Sequence, residues 1–143
     1  MPSAKILAVV EMGVRVELRV FLVEDLQRMR SLLGDVFSSL GGLSIVGAVG
    51  TEAEAKLWLG DHPAGWDLAV IDLVLDQGAG MEVIRRCKAD PDAGKVVVFS
   101  SYATPGVRRH CLDLGADAVF DKTETAAFLA WLDDLVSREN SGP

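Results

Sequence analysis

The stretch Trp66 to Gly80, WDLAVIDLVLDQGAG, decides how this chain is read. Leu68, Ala69, Val70 and Ile71 form an apolar run of the length expected for a buried parallel strand, and Asp72 stands where that strand leaves the sheet. A carboxylate at that point needs a reason. In an open α/β sheet, ligands and chemistry collect just beyond the carboxyl ends of the strands, so Asp72 occupies the place where a reactive group belongs.

Working outward from Asp72, strand and helix patterns alternate five times. The first strand is expected over Arg15 to Val23, ending in Glu24 and Asp25. A helix follows, with Leu26, Met29, Leu32, Leu33, Val36, Phe37 and Leu40 on one face and Gly41-Gly42 as its stop. Leu43 to Val49 is the second strand, and Thr51 with Glu54 forms a capping box opening a helix to about Leu59. Beyond Gly80 a third helix runs through Met81, Val83, Ile84 and Cys87 until Asp90-Pro91-Asp92-Ala93-Gly94 breaks it. Val96 to Phe99 is the fourth strand and closes with Ser100. Pro105 suits the first turn of a helix from about Gly106 to Leu114. Ala118 to Phe120 is a short fifth strand followed by Asp121 and Lys122, and Ala126 to Val136 is the last helix. Right-handed crossovers then give a five-stranded parallel sheet covered on both faces, a doubly wound α/β fold of order 2-1-3-4-5.

At 143 residues and 50% hydrophobic content, the chain supplies one well-filled core and is too short for two comfortable domains. The expected organisation is residues 15–138 as that domain and 139–143 as a tail, with fraying from Ser137 onward. Residues 1–14 are an extension left open between an extra edge strand over Lys5 to Val10, a disordered leader, and a segment upstream of a start at Met12. A net charge of −7 argues against direct, sequence-independent nucleic-acid binding. Apolar runs are far too short for a membrane span or a signal-peptide core, so a cytoplasmic location is expected. Cys87 and Cys111 have no metal-like spacing and predict no disulfide. Trp58, Trp66 and Trp131 are read as packing residues, His62 and His110 as surface groups, and Arg108 and Arg109 as a solvated face.

The groups that follow each strand form a constellation: Glu24 and Asp25, then Asp72, Ser100 and Lys122. With the first and third strands adjacent, three carboxylates crowd one crevice, and like charges raise one another's pKa unless a cation sits among them. Hard oxygen ligands with no His or Cys cluster favour Mg²⁺, or Mn²⁺, over zinc.

This pattern resembles the receiver domain of two-component response regulators, whose fold is flavodoxin-like. The resemblance lies in an acid pair after the first strand, an acceptor Asp after the third, a Ser/Thr after the fourth and a Lys after the fifth. Asp25, Asp72, Ser100 and Lys122 are spaced 47, 28 and 22 residues apart, as in that family, and the similarity covers Arg15 to Arg138. Gly80 and Gly115-Ala116-Asp117 match it too.

The resemblance implies that Asp72 accepts a phosphoryl group from a histidine kinase or a phosphotransfer protein. Glu24, Asp25, Asp72 and the Val74 carbonyl would hold Mg²⁺, and Ser100 and Lys122 would bind the phosphoryl oxygens. It further implies a non-enzyme that performs only self-catalysed phosphoryl acceptance and slow autodephosphorylation. Signalling would run to a downstream protein target, or onward by phosphorelay, through the fourth helix, fifth strand and fifth helix, a face that also allows a homodimer. A stand-alone receiver is expected because nothing after Arg138 could form an output domain.

Five positions depart from the pattern or tune it. Val119 stands where relatives carry the aromatic switch residue, with Phe120 beside it. Thr123 replaces a frequent proline, which predicts a trans bond and a looser loop after Lys122, and Asp76 replaces another, adding a negative charge beside the acidic site. Val74 and Tyr102, two residues beyond Asp72 and Ser100, occupy positions that influence water access to the acyl phosphate. Two rivals stay open. One is a degenerate receiver acting as an unphosphorylated interaction module. The other is an Asp-nucleophile phosphohydrolase, disfavoured because Val74 replaces the second acid such enzymes use.

Overall fold

Leu68, Ala69, Val70 and Ile71 are each at most 2% exposed and form the central strand of a parallel sheet. Burial on both faces is what an unbroken apolar run records. The computed structural model describes residues 17–141. Its strands are β1 (Leu18–Val23), β2 (Leu43–Val49), β3 (Leu68–Ile71), β4 (Lys95–Ser100) and β5 (Ala118–Asp121), in the spatial order β2-β1-β3-β4-β5. Its helices are α1 (Gln27–Leu40), α2 (Glu52–Asp61), α3 (Gly80–Lys88), α4 (Pro105–Asp113) and α5 (Thr125–Asn140). Every strand pair is parallel, as the alternation of strand and helix requires.

The core divides at the sheet. On one face Val20, Leu22, Val70, Val97 and Phe99 pack against Leu33 and Phe37 of α1 and Phe128, Leu132 and Val136 of α5. On the other, Phe21, Val23, Ile71, Val98 and Val119 pack against Ala55, Leu59, Val83, Ile84 and Cys111 of α2, α3 and α4. Adjacent strand residues point to opposite faces, which explains the interleaved numbering. Trp58 stacks between Phe21 and His62, both at 4.2 Å between ring centroids, and Trp66 is buried, so the tryptophans serve packing. Both cysteines are buried and unpaired, and burial pushes the Cys87 thiol up to about 12.

Several expectations are corrected. Leu26 and Leu32 are 57% and 53% exposed, because α1 starts at Gln27 and its buried stripe runs through Met29, Leu33, Val36, Phe37 and Leu40 instead. The last helix continues through Asn140, past the expected fraying point at Ser137; the Asn140 side-chain amide donates to the Val136 carbonyl at 2.9 Å. The readings of residues 1–14 lie outside the described residues. Thr51 caps α2 as expected, its hydroxyl accepting from the Glu54 backbone N–H at 3.1 Å, while the Glu54 carboxylate reaches back to the Thr51 hydroxyl at 3.0 Å and the Gly50 N–H at 3.4 Å.

Candidate functional site

The register of the sheet brings the acids together. Val23 of β1 pairs with Ile71 of β3, so the next residues, Glu24 and Asp72, leave the sheet side by side, and the Asp72 backbone N–H donates to the Val23 carbonyl at 2.9 Å. Glu24, Asp25 and Asp72 each offer a carboxylate oxygen within 4.8 Å of the others. Glu24 and Asp72 are 2% and 5% exposed, while Asp25 is half-buried. The Lys122 ammonium reaches across from the end of β5, donating to Glu24 Oε1 at 2.9 Å and to Asp72 Oδ2 at 3.0 Å. Lys122 thus sets one positive charge against two of the three carboxylates.

Glu24 is fixed at every polar atom. Its N–H donates to the Val49 carbonyl at 2.9 Å, its carbonyl accepts from the Arg30 Nε at 2.6 Å, and its second carboxylate oxygen accepts from the Leu26 N–H at 3.3 Å. Burial raises the Glu24 carboxyl above the usual range, against the pull of Lys122, and the Asp72 charge adds to the rise. For Lys122, burial works against the charged form, yet its bonds to Glu24 and Asp72 prevail and hold the ammonium above its ordinary value. Lys122 therefore stays protonated throughout the neutral range.

Ser100, fully buried at the end of β4, accepts from the Tyr102 N–H at 3.2 Å. The register of Ser100 with Asp121, and the bond from the Lys122 N–H to the Ser100 carbonyl at 3.1 Å, set the hydroxyl strand beside the lysine strand. Val74 follows Asp72 in a tight loop, its N–H donating to Asp72 Oδ1 at 3.3 Å. Val74 and Tyr102 are 55% and 56% exposed beside two buried polar groups, and Asp76 is exposed.

Two features differ from the sequence reading. The loop after Lys122 is pinned rather than loose. Asp121 Oδ1 accepts from the Thr123 N–H at 2.9 Å and the Thr123 hydroxyl at 2.8 Å, and Glu124 Oε1 accepts from the Asp121 N–H at 2.9 Å. Arg108, read as part of a solvated face, instead spans from α4 to β5. It donates to the Val119 carbonyl at 2.8 Å and pairs with Glu124. Val119 itself is buried toward α4, whereas Phe120 faces α5 and packs near Phe128 and Trp131. Phe120 cannot replace the missing aromatic at 119, because neighbouring strand positions lie on opposite faces.

A separate cleft lies at the opposite end of the sheet, around Arg19, Trp66 and Lys88. Its basic groups are already paired, Arg19 with Asp67 at 3.0 Å and Lys88 with Asp117 at 2.9 Å. The acidic end is where chemistry-bearing groups converge.

The response regulator receiver domain family model matches residues 20–130. The chain belongs to the response regulator receiver family. Among curated relatives, this receiver is 33% identical over 109 residues to a gliding motility regulatory protein of Myxococcus xanthus, covering 75% of the chain and 14% of the relative. It is 29% identical over 127 residues to the response regulator protein VraR of Staphylococcus aureus, covering 87% of the chain and 57% of that protein. A protein-glutamate methylesterase/protein-glutamine glutaminase of Treponema denticola is 34% identical over 104 residues, covering 70% of the chain and 27% of that protein. The receiver therefore spans little more than half of these relatives at most. Among solved structures, the phosphorylated cyanobacterial phytochrome response regulator RcpA superposes with a TM-score of 0.66 at 27% identity, covering 85% of this chain and 89% of that one. A CheX-CheY-BeF₃-Mg complex from Borrelia burgdorferi gives 0.75 at 20% identity, covering 84% and 90%, which supports the shared receiver fold. No helix of the described residues is long and apolar enough to cross a membrane.

Proposed function

We propose that this receiver accepts a phosphoryl group on the Asp72 carboxylate from the phosphohistidine of a histidine kinase or phosphotransfer protein. It then signals by protein contact, or passes the group onward. The phosphorus–nitrogen bond of the donor breaks as a phosphorus–oxygen bond to Asp72 forms, leaving an acyl phosphate and a free imidazole. The observation that carries this reading is the convergence of Glu24, Asp25, Asp72 and Lys122 from three separate strand ends.

Phosphoryl transfer asks a protein mainly for positioning and charge neutralisation, and each part has an occupant. Three clustered carboxylates with no nitrogen or sulfur ligand fit a small hard cation, so Glu24, Asp25, Asp72 and the Val74 carbonyl would hold Mg²⁺ or Mn²⁺, which supplies positive charge against the incoming phosphoryl oxygens. Lys122 and the Ser100 hydroxyl serve the remaining oxygens. The added charge of roughly −1.5 to −2 draws on Lys122 and Ser100, and α4, β5 and α5 form the readout face, where a second copy or a downstream protein binds.

The phosphorylated state of RcpA and the magnesium of the CheX-CheY-BeF₃-Mg complex support the same chemistry here. We read the chain as a non-enzyme located in the cytoplasm, acting without direct nucleic-acid contact.

Intact mass after incubation with Mg²⁺ and acetyl phosphate tests the assignment. Wild type gains a single phosphoryl group, and Asp72→Asn or removal of the metal abolishes the gain. An unmodified wild type would point to an unphosphorylated interaction module, and steady release of phosphate from a small-molecule ester to a phosphohydrolase. The bulk of Val74 and Tyr102 beside the acceptor is expected to restrain attack by water. Replacing both with small polar residues should accelerate decay of the acyl phosphate several-fold; an unchanged half-life would remove them from that role.

A further inference from the structure

We propose that Glu52 is a positioning residue for the candidate cation site, a latch that holds the loop between β3 and α3 against the start of α2. The proposal rests on the acidic cluster being that site. Glu52 touches none of the acids, and its influence runs through the loop. Its carboxylate Oε1 accepts from the Ala79 N–H at 2.9 Å, across 27 residues of sequence. Its own N–H donates to the Gln77 carbonyl at 3.1 Å, and Thr51 forms an isolated parallel bridge with Gln77. The second oxygen, Oε2, is held by Lys56 at 2.7 Å.

Gly78 completes the joint. Its φ of +87° is a conformation that suits glycine, and a Cβ there would collide with Glu52 Cβ and stand 2.9 Å from Glu52 Oε1. From Ala79 the connection continues inward, because Ala79 bridges Val74 in antiparallel fashion and the Val74 N–H donates to Asp72 Oδ1 at 3.3 Å. Leu73 and Leu75 are buried and anchor the first half of the loop. Gln77, Gly78 and Ala79 are exposed, so no apolar burial fixes the second half, and the contacts from α2 take that part. Groups that orient the ligands of a metal without touching it typically carry about tenfold to a hundredfold in metal affinity.

The probe is Mg²⁺ alone, titrated calorimetrically into the full chain, with the Mg²⁺-dependent rise in unfolding temperature as a second readout. Glu52→Ala should weaken Mg²⁺ binding about tenfold while leaving the metal-free unfolding midpoint near wild type. Glu52→Gln should bind close to wild type, since its amide oxygen still accepts from the Ala79 N–H. Gly78→Ala should weaken binding as Glu52→Ala does, although the Glu52 carboxylate is intact. Unchanged affinity in Glu52→Ala would overturn the latch. So would a Glu52→Gln affinity as poor as that of Glu52→Ala, because lost charge and not lost contact would then be the cause. A wild type that binds no Mg²⁺ defeats the reading of the cation site itself, an outcome separate from either variant's behaviour.

Discussion

Lys122→Met is expected to destabilise the metal-free protein by about 3 kcal/mol at pH 7.5, because removing one partner of a buried ion pair strands the other. Here it strands two, since Glu24 and Asp72 are 2% and 5% exposed and share the one ammonium. The methionine keeps the volume of the stem, so the loss is electrostatic. The pH dependence follows from Glu24, whose carboxyl burial already raises. A raised carboxyl binds its proton more tightly in the folded state than in the unfolded one, so its stabilising contribution is present below the unfolded value and lost as pH rises through the folded value. Without Lys122 that rise increases. The deficit of the variant should therefore be small near the unfolded carboxyl range and grow toward neutrality. Mg²⁺ replaces the missing cation and should restore part of the deficit at pH 7.5. Urea unfolding at both pH values, in chelator and in Mg²⁺, measures all three effects. Equal deficits at both pH values, or no response to Mg²⁺, would show that Lys122 does not neutralise the acids.

The sheet and the polar cluster at its edge were legible in the sequence because both rest on simple signals. Each buried strand is an apolar run, and the polar residue that ends it has no reason to sit beside a core unless it is used. Glu24, Asp72, Ser100 and Lys122 all follow that rule, and the register of β1 with β3 then makes Glu24 and Asp72 neighbours. What was hidden are groups whose partners lie far away and whose residue types are common on surfaces. Arg108 has the composition of a solvated helix face, yet it closes α4 onto the Val119 carbonyl and Glu124. Glu52 was masked by the adjacent Thr51 and Glu54 box, which explains the start of α2 without it. Leu26 and Leu32 fit a loose three-and-four spacing, but a start at Gln27 turns them outward. Periodicity gives the face of a helix only once its first turn is known.

Gly80→Ala should be the most damaging single methyl added to this chain, and the reason is backbone crowding, not backbone conformation. Gly80 is not among the described residues with positive φ. Its N–H donates to the Leu73 carbonyl at 3.1 Å, which draws the first turn of α3 down onto the end of β3. A Cβ at that position would lie 2.7 Å from Leu73 Cα and 2.9 Å from the Asp72 carbonyl carbon, and closer still to the Asp72 carbonyl oxygen. No side chain can rotate away, so either α3 lifts or the Asp72 backbone moves. Overpacking of this kind costs about 3 kcal/mol when the neighbours cannot yield. Because the atoms displaced belong to Asp72 itself, phosphoryl acceptance should fall with stability, and it should fall even at temperatures where the variant remains folded. Gly34→Ala is the matched control: it lies within α1 with nothing inside 4 Å of the added methyl, and it should stabilise by about 0.5–1 kcal/mol. Urea midpoints of the two variants are thus expected to move in opposite directions for the same chemical change. A Gly80→Ala midpoint and acceptance rate both equal to wild type would mean that α3 does not press on the end of β3 as the crowding requires.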